Sequence, residues 1–429
     1  MKVHFKTLGC RLNEAEVETW AQTFQKSGYA ITNQIENANL VVLNTCAVTQ
    51  DATKKSRQII RRIHRDNPNA KLVVSGCYAT LDREKVEATL GVDLVVSNND
   101  KELLVEKALV ELNLDTMPEM STEPGEISLF KRGRQRAFVK VQDGCRYKCT
   151  FCIVTIARGE EVSRSVQEII SEINKLAELG VTEIILTGVH LGGYGSDLGS
   201  NLPALIKSIL AGTEIPRIRL GSLEPWELSE DFIELFQNPR IMPHLHLPLQ
   251  SGSDSVLRRM ARRCKTEEYT KIVSQLRSSV AHFNVTTDII VGFPGETEQE
   301  WQESYDFIRQ TQFGHIHIFT YSGRAGTKAA EFPNQIMNHV KKERSQKLHE
   351  LAEEMKEAFN KANIGQEFAV LWEGYKELLD NGKQRVYGYT PNYLRVAAII
   401  DAEKSIENMI IQTKLKNMDN ASLNGELLG

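Results

Sequence analysis

Apolar positions along the first hundred residues alternate between two rhythms. Val3 to Leu8, Asn39 to Asn44, Lys71 to Val74 and Asp93 to Val96 are short apolar runs of strand length. Glu14 to Lys26, Lys54 to Arg65 and Arg83 to Leu90 carry the 3.6-residue period of amphipathic helices. Strand and helix in turn predict a doubly wound parallel sheet. A polar stretch from Asp115 to Ile127, with two prolines and four acids, breaks the pattern as a linker would. The alternation then resumes. Strands are expected at Ala137–Gln142, Glu183–Leu186, Arg217–Leu220, His244–Leu249, Val285–Val291 and His315–Thr320. Helices are expected at Val166–Leu179, Leu202–Leu210, Leu228–Phe236, Ser255–His282 and Glu298–Gln310. Six strands fit a partial (β/α) barrel better than a full eight-stranded one. A long charged helix, Asn338–Ala362, precedes four β-like runs: Phe368–Trp372, Arg385–Tyr389, Tyr393–Ile400 and Met409–Lys414. Gly, Asn and Asp turns separate them, which predicts a small β-barrel, with a frayed tail beyond Met418. The expected organisation is an α/β chain: a doubly wound domain (1–115), a linker (116–130), a six-stranded partial barrel (131–363) and a C-terminal β-barrel (364–429).

Composition narrows the class. The chain has 429 residues, too many for one simple core, with 41% hydrophobic and 25% charged residues, which excludes collagen-like and wholly disordered readings. No apolar run approaches the roughly 18 residues of a membrane helix, and Met1–Lys6 lacks the apolar stretch of a signal peptide. A cytoplasmic protein with no membrane partner is expected. The net charge of −4 gives no hint of nucleic acid, so patches must carry that argument. Thr53–Arg65 holds six Lys or Arg, and Lys131–Lys140 and Arg258–Lys265 hold five each. Each is either a solvated face or a phosphate-contact surface. The segment from Gly365 onward is net −2, yet Arg385, Tyr387, Tyr389, Tyr393 and Arg395 interleave basic and aromatic residues. They suit RNA stacking, or one face of a barrel core.

The seven cysteines change the picture most. Cys145, Cys149 and Cys152 stand in Cys-x3-Cys-x2-Cys directly after a predicted strand. Three thiolates at this spacing suit an iron–sulfur cluster with one iron left open. Structural zinc wants a fourth ligand, and the next histidine is His190. Cys10, Cys46 and Cys77 each follow a predicted strand of the first domain. Each alone reads as a buried core cysteine, but in a parallel sheet the carboxyl ends share one edge, so the three can converge, and their shared position favours a second three-thiolate site. Cys264 is expected to be structural.

These motifs resemble the radical S-adenosylmethionine (SAM) superfamily, with Phe151 before the last cysteine strengthening the match. Nearly the whole chain is similar to the methylthiotransferases within it, through Thr7–Asn13 (TLGCRLN), Asn44–Thr49 (NTCAVT), Ser75–Tyr78 (SGCY), His246–Ser253 (HLPLQSGS) and Val291–Thr297 (VGFPGET). Leu186–Gly195 (LTGVHLGGYG) and Tyr389–Leu394 (YTPNYL) resemble the branch acting on N6-threonylcarbamoyladenosine. Arg146 and Thr155 depart from the family pattern, where Asn and Pro are common.

The resemblance implies an N-terminal cluster domain, a radical SAM barrel and a C-terminal RNA-binding TRAM domain. It implies two 4Fe–4S clusters, on Cys145/Cys149/Cys152 and on Cys10/Cys46/Cys77, the second carrying the sulfur. SAM would supply both the 5′-deoxyadenosyl radical and the methyl group, for methylthio insertion at adenine C2 of tRNA position 37. The partners implied are a tRNA anticodon stem-loop, a reductant protein and a sulfur donor, with no DNA. Phe151, Gly188, Glu224 and Gln250 are candidate SAM contacts, each with a plain structural alternative. Thr297 is more simply a helix cap. The threonylcarbamoyl carboxylate suits an arginine fork, and Arg146, Arg158 and Arg164 flank the cluster motif. The rivals are the isopentenyladenosine branch, the branch modifying a ribosomal-protein aspartate, and a non-catalytic zinc-binding RNA adaptor.

Overall fold

The computed structural model describes residues 1–112, 114, 135–380, 382–419 and 422–428. The expected linker (116–130) and the start of the Lys131–Lys140 run lie outside them. In the first domain β1 (Lys2–Thr7), β2 (Ala30–Ile31), β3 (Leu40–Thr45), β4 (Lys71–Gly76) and β5 (Leu94–Val96) form a parallel sheet in the order β2-β1-β3-β4-β5. Alternation along β3 explains the two layers. Leu40 and Val42 face α1 (Arg11–Lys26) and the later helix Leu104–Glu111. Val41 and Leu43 face the other layer, α2 (Gln50–Asp66), α3 (Cys77–Leu81) and α4 (Arg83–Glu87). The helix Leu104–Glu111 is α5; neither it nor two-residue β2 is long enough to stand out in the apolar pattern.

The partial barrel is present with six strands. β6 (Arg136–Lys140) is followed by a two-residue hairpin pair, β7 (Gln142–Asp143) and β8 (Val162–Ser163). β6, β9 (Glu183–Thr187) and β10 (Arg217–Leu220) make one parallel sheet; β11 (His244–His246), β12 (Asn284–Val291) and β13 (His315–Thr320) make the next. Parallel bridges Ile218↔Ile241 and Ser222↔His246 join the two. Around them lie α6 (Val154–Arg158), α7 (Val166–Glu178), α8 (Leu202–Gly212), α9 (Glu230–Glu234), α10 (Asp254–Arg259), α11 (Thr266–Ser279), α12 (Glu298–Thr311) and α13 (Asn338–Ala362).

Two expectations are corrected. Ser255–His282 is two helices, because Ala261 is left-handed (φ 58°) and the Thr266 amide donates to Asp254 at 2.8 Å across the break. Cys264 sits buried in that break and not in a helix. The tail is not frayed: β18 (Ser422–Leu427) closes a barrel with β14 (Glu367–Leu378), β15 (Lys383–Tyr389), β16 (Arg395–Asp401) and β17 (Ile410–Asp419), in the order β14-β15-β16-β18-β17. It pairs antiparallel with β17 and parallel with β16.

The C-terminal barrel rests on one end of the radical-SAM-like barrel. Buried Arg219 pairs with buried Glu183 at 3.0 Å and donates to the Pro391 carbonyl at 3.1 Å. Asn284 donates to the Asn392 carbonyl at 2.8 Å. No helix among the described residues is long and apolar enough to cross a membrane.

Candidate active site

Cys10 follows β1, Cys46 follows β3 and Cys77 follows β4, three neighbouring parallel strands, so their carboxyl ends share an edge. Two glycines set the thiols there. Gly76 has φ 96°, and a Cβ on it would lie 2.3 Å from the Thr45 carbonyl oxygen. Gly9 has φ 124°, and its Cβ would lie 3.2 Å from the Cys46 sulfur. Only glycine lets the chain turn here without displacing the adjacent strand end. Asn13 ties the edge together, donating to the carbonyls of Leu8 (2.8 Å) and Thr45 (3.3 Å), while the Cys10 thiol points at its Oδ1 at 3.5 Å.

The second triad lies in the loop between β7 and α6. Gly144 (φ 74°) precedes Cys145, and a Cβ there would fall 1.8 Å from the Glu160 carbonyl oxygen. Arg262 reaches the Cys149 sulfur at 3.9 Å while forking onto Glu224 at 3.0 and 2.6 Å. Burial pushes the thiols up, to about 11 for Cys46 and Cys152 and about 12 for Cys145. Metal binding at such thiols displaces protons. All seven cysteines are free thiols.

The domains that carry the two triads meet in a seam. Asn98, from the first domain, faces the Cys77 sulfur at 3.8 Å and donates to the Ala157 carbonyl at 2.7 Å, just after the second triad. Arg158, buried in the same seam, donates to Asn13 at 2.8 Å and Glu16 at 2.7 Å. Lys101 pairs with Glu16 at 2.8 Å and with Asp143. Burial alone would raise both carboxyls, but Arg158 and Lys101 outweigh it and hold Glu16 and Asp143 below the usual carboxylate range.

A network next to Cys145 had no obvious signal in the sequence. His190 sits between Glu161 at 2.5 Å and Glu227 at 2.6 Å, and Glu227 also accepts from the Tyr147 hydroxyl at 2.9 Å. Burial opposes a charge on His190, but Glu227 and Glu161 outweigh it and raise its pKa. Ligand atoms of Cys145, Glu161 and His190 lie within 4.8 Å of one another. With both ring nitrogens engaged by carboxylates, His190 is a supporting group there and not a free fourth ligand.

The other expected residues divide. Phe151 packs on Met260 and Phe293, on the core side of the loop. Gly188 makes room for Gln142, whose Cβ would otherwise meet its own at 3.2 Å. That glutamine amide in turn donates to the Gly144 carbonyl at 2.8 Å and steadies the Cys145 loop. Glu224 lies by Cys149 but is held by Arg262. Gln250 (φ 77°) is anchored by its backbone to Asp288 and Ile290, and its side chain makes no hydrogen bond among the described residues. Thr297 caps α12 with Glu300 in a reciprocal box, the structural role expected. All three arginines proposed for the carboxylate are occupied: Arg146 by Glu161 at 3.6 Å, Arg158 by Glu16 and Asp143, and Arg164 by Glu172 at 2.6 Å.

Residues 2–97 match the model of uncharacterized protein family UPF0004, and residues 139–308 match the radical SAM superfamily. The chain is 36% identical over 420 residues to threonylcarbamoyladenosine tRNA methylthiotransferase MtaB of Bacillus subtilis, covering 95% of this chain and 91% of the relative. The chain belongs to the radical SAM tRNA methylthiotransferase family. A second relative is the MtaB of Thermotoga maritima, 37% identical with 87% of each chain covered. The tRNA-2-methylthio-N(6)-dimethylallyladenosine synthase of Bacillus pumilus is 34% identical, covering 100% of this chain and 86% of the relative. Among solved structures, the fold is similar to the radical SAM methyltransferase TsrM of Kitasatospora setae (TM-score 0.56, 16% identity, 77% of each chain). As a radical SAM methylthiotransferase of tRNA, the protein works with SAM and two 4Fe–4S clusters. The donor sets fit those groups: two sets of three free thiols and, beside Cys145, a His190 whose ring nitrogens are both engaged by Glu161 and Glu227.

Proposed function

We propose that the enzyme inserts a methylthio group at C2 of N6-threonylcarbamoyladenosine at tRNA position 37. The seam that joins the two triad-bearing domains through Asn98 supports this reading, together with relatives named for that substrate over most of their length. Cys145, Cys149 and Cys152 would hold the cluster that binds SAM, and Cys10, Cys46 and Cys77 the cluster that carries sulfur. When bound, the two clusters and SAM supply the radical, the sulfur and the methyl group, because no side chain activates an adenine C2–H bond. The chain's own residues hold the geometry. Asn13 and Asn98 fix the first triad against the second, Gln142 braces the Cys145 loop, and Gln250 offers a free amide to SAM at a strand end.

A cavity of about 760 Å³ between α2 and the 323–325 loop is lined by Lys54, Arg57, Arg61 and Arg324, with Asp51 and a paired Lys85 and Asp82, beside Ile153. It supports an RNA backbone contact close to the second triad. Tyr389 and Tyr393 stack on each other at 5.0 Å and under Arg136 and Arg219, turned toward the barrel. Arg395 lies 4.3 Å over the ring of buried Tyr387 on the C-terminal barrel, and exposed Arg395 is the RNA-facing candidate there. A cytoplasmic setting, a reductant protein and a sulfur donor complete the proposal.

The test is an anaerobic reaction of the reconstituted enzyme with SAM, sulfide and a reductant. The substrates are tRNAs bearing threonylcarbamoyl- or dimethylallyl-adenosine, and nucleosides are analysed by mass. A methylthio product on the threonylcarbamoyl tRNA is expected. Product on the dimethylallyl tRNA alone keeps the chemistry and overturns the substrate.

A further inference from the structure

We propose that Arg11 is the carboxylate-binding residue of the site, receiving the carboxylate of the substrate's threonylcarbamoyl chain; this rests on the substrate reading above. The observation is one of charge left over. Arg146, Arg158 and Arg164 are matched to acids, as is Arg262. Arg11 is not: among the described residues no carboxylate lies within ion-pair distance of it. It is exposed, and what holds its guanidinium is aromatic. The group lies 5.8 Å from the Phe138 ring and 5.8 Å from the Tyr393 ring, and donates to the Tyr393 hydroxyl at 3.3 Å.

Position points the same way. Arg11 directly follows Cys10, so its Cα is about 3.8 Å from that of a cysteine of the first triad. Its side chain runs from the triad edge to Phe138 on β6 and to Tyr393 of the C-terminal barrel. A nucleoside whose C2 is presented to the triads would thus have Arg11 within a side chain's length of its N6 substituent. On β12 of the barrel, Asp288 is engaged by His246, whose Nε2 lies 3.2 Å from its Oδ1. His317 stands beside them, with its ring 5.4 Å from that of His246. Asp288 is thus held by His246 and makes no ion pair with Arg11 among the described residues.

A guanidinium pre-set on two rings keeps its fork free for a planar anion. One charge-assisted pair there is worth roughly 10- to 100-fold in kcat/KM. A dimethylallyl substituent has no anion and would gain nothing from Arg11.

The experiment compares an anticodon stem-loop RNA carrying threonylcarbamoyladenosine with the same RNA carrying its methyl ester and with one carrying dimethylallyladenosine. Wild type, Arg11→Gln and Arg11→Lys are assayed for kcat and KM. Wild type is expected to prefer the acid to the ester by roughly 10- to 100-fold. R11Q should lose that preference by falling on the acid alone, and R11K should keep part of it. The acid-to-ester ratio does not depend on how much of a variant is folded or loaded with iron. An R11Q loss equal on both RNAs means a structural or phosphate-contact role and overturns the site. So does a wild type indifferent to the ester. Wild-type turnover of dimethylallyl RNA only would overturn the substrate reading itself, and this site with it.

Discussion

Gly9, Gly76 and Gly144 each stand one residue before a cysteine of a triad, each at positive φ, and each with no room for a Cβ. The clearest case is Gly76, whose Cβ would meet both the amide and the carbonyl of Thr45, next to Cys46. Gly76→Ala should therefore disturb two thiols of the first triad and none of the second. The expected outcome is loss of about half the cluster absorbance after reconstitution, with SAM cleavage retained. Glu300 offers a pH test. Its bonds to Arg259, then to Ser255 and Thr297, outweigh burial and lower it to about 2. A depressed carboxyl stabilises the fold above its unfolded value, and that contribution is lost as pH falls toward 2. Unfolding midpoints of wild type and Glu300→Gln should differ most near neutrality and converge in acid. The six cysteines were legible because spacing and strand ends place them without knowledge of packing. The role of Arg158 was not: its partners Glu16 and Asn13 lie in another domain, and local sequence does not say which charges are already matched.

Among elements, the seam between the sheet domain and the barrel joins the two units that carry the triads. Its centre is a buried charge group: Glu16 on α1, Lys101 before α5, Asp143 on β7 and Arg158 on α6. Removing one member leaves another buried and unpaired, which costs about 3–5 kcal/mol. Glu16→Gln should lower the free energy of denaturant unfolding by that order and slow turnover by loosening the seam. Helices and strands with strong periods, such as α13 and β13, were legible end to end. The break at Ala261 was not, since a left-handed residue leaves the apolar period on either side intact. β18 was missed because Ser422–Leu427 is short and polar, and becomes a strand only by closing the gap between β16 and β17.

For the whole molecule, the sheet domain meets the barrel along one seam, and the C-terminal barrel packs on Arg136, Arg217 and Arg219 of β6 and β10 and touches Arg11 through Tyr393. The groove of Lys54, Arg57 and Arg61 opens beside Ile153, next to the second triad, so RNA lying along it would pass the chemistry. Lys54→Ala with Arg61→Ala should weaken tRNA binding and reduce the slope of log affinity against log salt by roughly one per lost phosphate contact. The net charge of −4 concealed this, because a whole-chain sum does not show that Lys54, Arg57, Arg61 and Arg324 outnumber Asp51 and Asp82 in one groove. The most direct measurement is metal content after anaerobic reconstitution, for wild type and for two triple variants, Cys10/Cys46/Cys77→Ala and Cys145/Cys149/Cys152→Ala. Two separate cluster sites predict about eight irons per chain in wild type and about four in each variant. Zinc in place of iron, or one triple variant that still holds about eight irons, would contradict the assignment of the two triads.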